Sequence, residues 1–100
     1  MSKVGVIGCG SWGTALAVVL AGNGETVQMW CRRQEQADEM NGTRENKKYL
    51  AGVVLPEGIQ VHTDLQEVLT GAEYVLLAVP SQSLREILEK IKDLLPPEAI

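Results

Sequence analysis

The chain is expected to fold as an α/β domain built on a doubly wound parallel sheet. Three observations lead there. Short apolar runs alternate with helix-patterned segments along the 100 residues. The first run ends in three glycines, Gly8, Gly10 and Gly13, that open a helical pattern. Apolar residues make up 45% and charged residues 22%, the balance of a packed core within one domain at most.

The elements follow in order. Lys3–Ile7 (KVGVI) meets Gly8 and reads as a buried parallel strand. Ser11–Leu20 carries Trp12, Ala15, Leu16, Val19 and Leu20 at helical spacing, the expected buried stripe, with Ala15 and Ala17 small enough to keep the helix near the sheet. Gly22-Asn23-Gly24 ends it with a glycine suited to a left-handed cap. Thr26–Cys31 is the second strand. Gln34–Met40 reads as a polar helix interrupted by Asn41-Gly42-Thr43, followed by a solvated charge run from Arg44 to Lys48. After the turn Pro56-Glu57-Gly58, the alternation over Ile59–Thr63 makes a third strand. Thr63 and Gln66 form a capping-box pattern for a short helix to Leu69, closed at Gly71. Tyr74–Val79, the most apolar run, reads as a central strand. Ser83 and Glu86 form a second capping box, ahead of a stripe of Leu84, Ile87, Leu88, Ile91, Leu94 and Leu95 that Pro96 stops. Residues 96–100 then lead toward a truncated strand, so residues 1–100 are read as an incomplete domain. The alternation implies right-handed crossovers and a strand order 3-2-1-4.

Charge and composition exclude several functions. Nine basic and 13 acidic residues give a net charge of −4, so a basic footprint for nucleic acid is missing and an anionic ligand must be held by local geometry. No apolar run approaches the ~18 residues of a membrane span, and the start Met1-Ser2-Lys3 lacks a secretory pattern, which points to a cytoplasmic protein. Two cysteines and one histidine suit neither a disulfide framework nor a metal site. Cys9 and Cys31 follow neighbouring strands and are expected to lie close but reduced. His62 reads as a surface or capping histidine, and Lys47 and Lys48 as solubilising.

Gly8-Cys9-Gly10-Ser11-Trp12-Gly13 is G-x-G-x-x-G between a strand and a helix, the fingerprint context of a Rossmann-like, dinucleotide-binding βαβ unit. Gly8 makes the tight turn, Gly10 leaves room for a pyrophosphate, and Gly13 lets the helix pack on the strand. First-turn N–H groups and the helix dipole then face the phosphates. The alternative is a glycine-rich turn without ligand. At the end of the second strand, where NAD-preferring sites place a carboxylate, the chain reads Trp30-Cys31-Arg32-Arg33, and the first acid is Glu35. Two guanidiniums there favour a 2′-phosphate, hence NADP(H), with NAD(H) as the second choice. The plainer alternative is a solvated Arg pair starting a helix. Pro80 and Ser81 end the fourth strand. They either face the cofactor across from Gly10–Trp12 or form an ordinary turn before a helix.

These residues resemble a family. Gly8 to Ala17 (GCGSWGTALA) is similar to the amino-terminal fingerprint of the bacterial-type NAD(P)-dependent glycerol-3-phosphate dehydrogenases. Asn46 to Pro56 resembles that family's N-x-x-Y-L-P-G-x-x-L-P segment, with Ala51 in place of the proline, and Ala78-Val79-Pro80-Ser81 resembles its A-V-P-S element. The resemblance covers essentially the whole chain. It implies hydride transfer between NAD(P)H and dihydroxyacetone phosphate for glycerophospholipid synthesis. It adds a second, all-helical domain, catalytic lysines beyond position 100, and a homodimer when complete. By the same resemblance Ser11 and Trp12 contact the dinucleotide, and Arg32 and Arg33 lie at its adenosine end. Tyr49 and Pro80 join Gly8, Gly10 and Gly13 as candidate cofactor-binding residues, and no residue within 1–100 is a catalytic candidate. Two alternatives remain at this point: another dehydrogenase of the β-hydroxyacid or ketopantoate reductase type, and a nucleotide-sensing module without chemistry.

Overall fold

The computed structural model describes residues 3–47, 50–79 and 81–92, with the side chains of residues 51 and 81 excepted. Tyr49, Pro80 and the segment 93–100, which holds Leu94, Leu95 and Pro96, lie outside the described residues. The order of elements is β1 (Lys3–Ile7), α1 (Ser11–Gly22), β2 (Thr26–Trp30), α2 (Gln34–Thr43), β3 (Glu45–Asn46), β4 (Leu50–Val54), β5 (Ile59–His62), α3 (Leu65–Leu69), β6 (Tyr74–Leu77) and α4 (Ser81–Ile91).

Four parallel strands form the sheet in the order β5-β2-β1-β6. This is the expected 3-2-1-4 order, renumbered because a small antiparallel pair, β3 and β4, intervenes. Val4, Gly5, Val6 and Ile7 of β1 sit beside Val27–Trp30 on one side and Tyr74–Leu77 on the other. Alternate residues serve opposite faces. Val4, Val6, Val27, Met29, Ile59 and Val61 pack with Ala17, Ala37 and Met40 of α1 and α2. Ile7 and Trp30 pack with Leu65, Val68 and Leu69 of α3 and with Ile87 and Ile91 of α4. Helices therefore cover both faces, as a parallel sheet requires.

The structure corrects several local expectations. The fully buried residues of α1 are Gly13, Thr14 and Ala17; of the expected stripe Leu20 packs half-buried on the core, Ala15 and Leu16 are half-buried, and Trp12 and Val19 are 68% and 61% exposed. Small residues take the innermost positions at the start of the helix, where Gly13 lies against the Gly8 carbonyl. Helix α2 runs through Asn41 and Gly42 to Thr43 and is capped by Arg44 in the left-handed conformation, φ 58°. Of the expected solvated charge run, Lys47 is exposed and Lys48 lies outside the described residues, but residues 44–46 are not solvated. Glu45 and Asn46 form β3 against β4, Asn46 is buried, and Arg44 is half-buried. The cap of α3 is Asp64, whose carboxylate accepts from Gln66 N at 2.9 Å, while Thr63 donates to Gln34 Oε1 instead. Ser83 lies inside α4 and does not cap it. Finally, β6 ends at Leu77, short of the expected Val79, and pairs with β1 on one side among the described residues.

The outer edge of β5 is closed by side chains. Asn41 donates to the Val61 carbonyl at 2.9 Å and accepts from Val61 N at 3.0 Å. Arg44 donates to the Ile59 carbonyl at 2.9 Å and to that of Pro56. Ile59 N finds the Pro56 carbonyl at 3.2 Å.

Candidate functional site

β1 and β2 end side by side, and Gly8 N bonds the Trp30 carbonyl at 3.1 Å. The chain then turns sharply, with Gly8 at φ 125°, a conformation that L side chains rarely adopt. A Cβ on Gly8 would also overlap the Ala78 carbonyl just beyond β6. One on Gly13 would overlap the Gly8 carbonyl, so the start of α1 lies against the end of β1. Gly10 differs: nothing lies within 4 Å of a Cβ built there. Two glycines thus serve packing, and the third faces open space.

That space is a crevice of about 680 Å³. It lies beyond the carboxyl ends of β1, β2 and β6, where the sheet order reverses, the usual ligand position in such sheets. Gly8, Gly10, Ser11 and Trp12 form one wall, Arg32 and Arg33 the end beside β2, and Ala78 and Val79 the opposite wall. Gly13 sits behind the wall, buried. Of the expected site residues these are brought together, and Tyr49 and Pro80 cannot be placed among the described residues.

The crevice suits an anion. Helix α1 has neither a side-chain cap nor an acidic residue in its first turn, so no carboxylate competes for its leading amides. Among the described residues, the first α1 amide with a backbone acceptor is Thr14 N, bonded to the Gly10 carbonyl at 3.0 Å. Arg32 and Arg33 are exposed, and no described carboxylate forms an ion pair with either. Glu35 lies in the first turn of α2, exposed.

Beneath the loop is a polar cluster that the sequence reading missed. Asn46 Nδ2 donates to the Cys9 carbonyl at 2.7 Å and to Thr14 Oγ1 at 2.8 Å. Thr14 Oγ1 and Gln36 Nε2 each reach the same carbonyl at 3.3 Å. The only sequence signal was the place of Asn46 at the head of the Asn46–Pro56 motif. Cys9 and Cys31 are both buried and unbridged. A hydrogen bond from the Cys9 thiol, with help from the Arg33 backbone and charge, holds Cys31 down at about 7 against the opposing effect of burial. The same contact, with burial, pushes Cys9 up. His62, expected at the surface or as a cap, is instead half-buried away from the crevice, its ring paired with Gln28 of β2 and with Glu67 Oε2 at 3.2 Å.

An amide-lined, carboxylate-free crevice at the switch point of a doubly wound sheet defines the class: a dinucleotide-binding α/β domain. Residues 3–100 match the family described as NAD-dependent glycerol-3-phosphate dehydrogenase N-terminus, and the chain belongs to that family. It is 47% identical over 100 residues to a glycerol-3-phosphate dehydrogenase [NAD(P)+] of Bacillus velezensis, covering all of this chain and 29% of that protein. Among solved structures, glycerol-3-phosphate dehydrogenase from Coxiella burnetii superposes with a TM-score of 0.93 at 35% identity, covering 98% of this chain and 30% of that one. The enzyme from Saccharomyces cerevisiae gives 0.91 at 31% identity, covering 98% and 31%. The chain therefore spans less than a third of the length of these relatives.

Proposed function

We propose that this chain is the NAD(P)H-holding part of an oxidoreductase that interconverts dihydroxyacetone phosphate and sn-glycerol 3-phosphate. The observation that supports it best is the glycine cradle. Gly8 and Gly13 are closed by backbone, while Gly10 opens on the crevice, in a chain that belongs to this dehydrogenase family. The reduced nicotinamide, when bound, supplies the hydride. The residues here bind and orient. Amides of Gly10 to Gly13 receive the pyrophosphate, with Ser11 and Trp12 at its rim. Arg32 and Arg33 receive a 2′-phosphate, which favours NADP(H) over NAD(H). Tyr49 and Pro80 are assigned to the same cofactor by their motifs alone. None of the lysines within residues 1–100 is assigned the protonation of the ketone oxygen, which falls to residues of the full-length protein.

No described helix is long and apolar enough to cross a membrane. A cytoplasmic address, a homodimeric full-length protein, and a role in glycerophospholipid synthesis complete the reading. The test is NADPH oxidation by the full-length protein with dihydroxyacetone phosphate as acceptor. Turnover with this ketone, and none with 2-ketopantoate or β-keto acids, is expected. Tight dinucleotide binding without turnover on any of them would favour a sensing module instead.

A further inference from the structure

We infer that Asn46 is a positioning residue for the dinucleotide: by holding the Cys9 carbonyl under the glycine loop, it aims the Gly10 N–H into the crevice. The inference rests on the cofactor reading above and adds a residue that touches no phosphate.

The argument begins with the peptide unit. The Cys9 carbonyl and the Gly10 N–H belong to one planar trans amide, so they point in opposite directions. Turning the carbonyl inward turns the N–H outward. That carbonyl is held inward by Asn46 Nδ2 at 2.7 Å, Thr14 Oγ1 at 3.3 Å and Gln36 Nε2 at 3.3 Å. Asn46 gives the shortest of these bonds and also donates to Thr14 Oγ1 at 2.8 Å, so it orients a second donor. Gln36 Nε2 lies 3.4 Å from Asn46 Oδ1, which joins α2 to the same cluster.

The other side of that amide is open. The Gly10 N–H has no acceptor among the described residues, and a Cβ on Gly10 would meet nothing within 4 Å. This peptide turns about Cys9 ψ and Gly10 φ, and the second is a glycine torsion facing open space, which leaves the unit easy to rotate unless it is held. A flexible loop would spend binding energy on ordering itself around the anion, and a pinned one does not. Asn46 is suited to pin it because β3 holds its backbone and its side chain is buried, 2% exposed.

The experiment compares two ligands on the full-length protein by quenching of its tryptophan fluorescence. NADPH needs the loop, whereas adenosine 2′-monophosphate carries the 2′-phosphate but no pyrophosphate. Asn46→Ala is expected to raise the NADPH Kd about tenfold, the equivalent of one well-made hydrogen bond, and to raise KM for NADPH more than it lowers kcat. The Kd for adenosine 2′-monophosphate stays unchanged. Equal weakening of both ligands, or an NADPH Kd equal to that of wild type, overturns the inference. Gln36→Leu removes one donor and leaves Asn46 in place, which keeps the test decisive if Asn46→Ala does not fold. It should raise the NADPH Kd about twofold to threefold without affecting adenosine 2′-monophosphate, and no change overturns the inference. Wild-type protein that binds neither ligand sinks the cofactor reading itself, a result distinct from wild type that binds NADPH and a variant that binds it equally well.

Discussion

Gly13 lies against the carbonyl oxygen of Gly8, so closely that a Cβ would fall inside 3.0 Å of it. That atom is backbone and cannot rotate away. Gly13→Ala must therefore push α1 off the sheet, at a cost of about 1–3 kcal/mol in unfolding free energy, together with loss of dinucleotide affinity. Gly10→Ala meets nothing and keeps an extended backbone, φ −73° and ψ −170°. Its urea midpoint should match wild type while its NADPH Kd rises about tenfold or more. Equal destabilisation by both alanines would contradict the division of labour between these glycines.

Arg32 and Arg33 are expected to set cofactor choice. Arg32→Ala in the full-length enzyme should lower the NADPH-to-NADH ratio of kcat/KM about tenfold, with NADH itself little affected. Arg33→Lys keeps the charge and loses the fork, so its ratio should fall less. A ratio that does not change would remove the 2′-phosphate assignment.

The thiol pair predicts a pH signature. Cys31 is lowered to about 7 from an ordinary 9.0, and Cys9 is raised. Between pH 7 and 9 the folded pair holds one proton where the unfolded pair holds two, so stability rises with pH. Above 9 the unfolded pair loses both protons while the folded pair keeps one, and stability falls. The urea midpoint of wild type minus that of the Cys9→Ala/Cys31→Ala variant should peak near pH 9. Thiolate ultraviolet absorbance should show one group ionising near pH 7, and Cys9→Ala should move that titration upward. A flat difference would show that the thiols do not share a proton.

Asn41→Ala should cost about 1–3 kcal/mol, because it leaves both backbone groups of Val61 without their partner at the rim of the core. Thermal unfolding checks this, and a Tm equal to wild type would mean that water replaces the side chain fully.

The strand-helix alternation and the glycine loop were legible because they rest on local patterns. Lys3–Ile7 is one apolar run, and Gly8, Gly10 and Gly13 have spacing with a mechanical meaning. What escaped depends on distant partners. Asn41 and Arg44 look like a helix break and a surface charge until β5 is beside them. Asn46 looks like part of a polar run until the Cys9 carbonyl arrives from 37 residues away. The α1 stripe is half right for a related reason: hydrophobicity marks Trp12 and Val19 for burial, but the face turned to the sheet is that of Gly13, Thr14 and Ala17, with Leu20 packed beside it.

The side chains sealing β5 give the sheet a polarity. With Ile59 and Val61 already occupied by Pro56, Arg44 and Asn41, no further strand can dock on that flank. Any additional strand must arrive beside Tyr74–Leu77, so the sheet can be extended in one direction only.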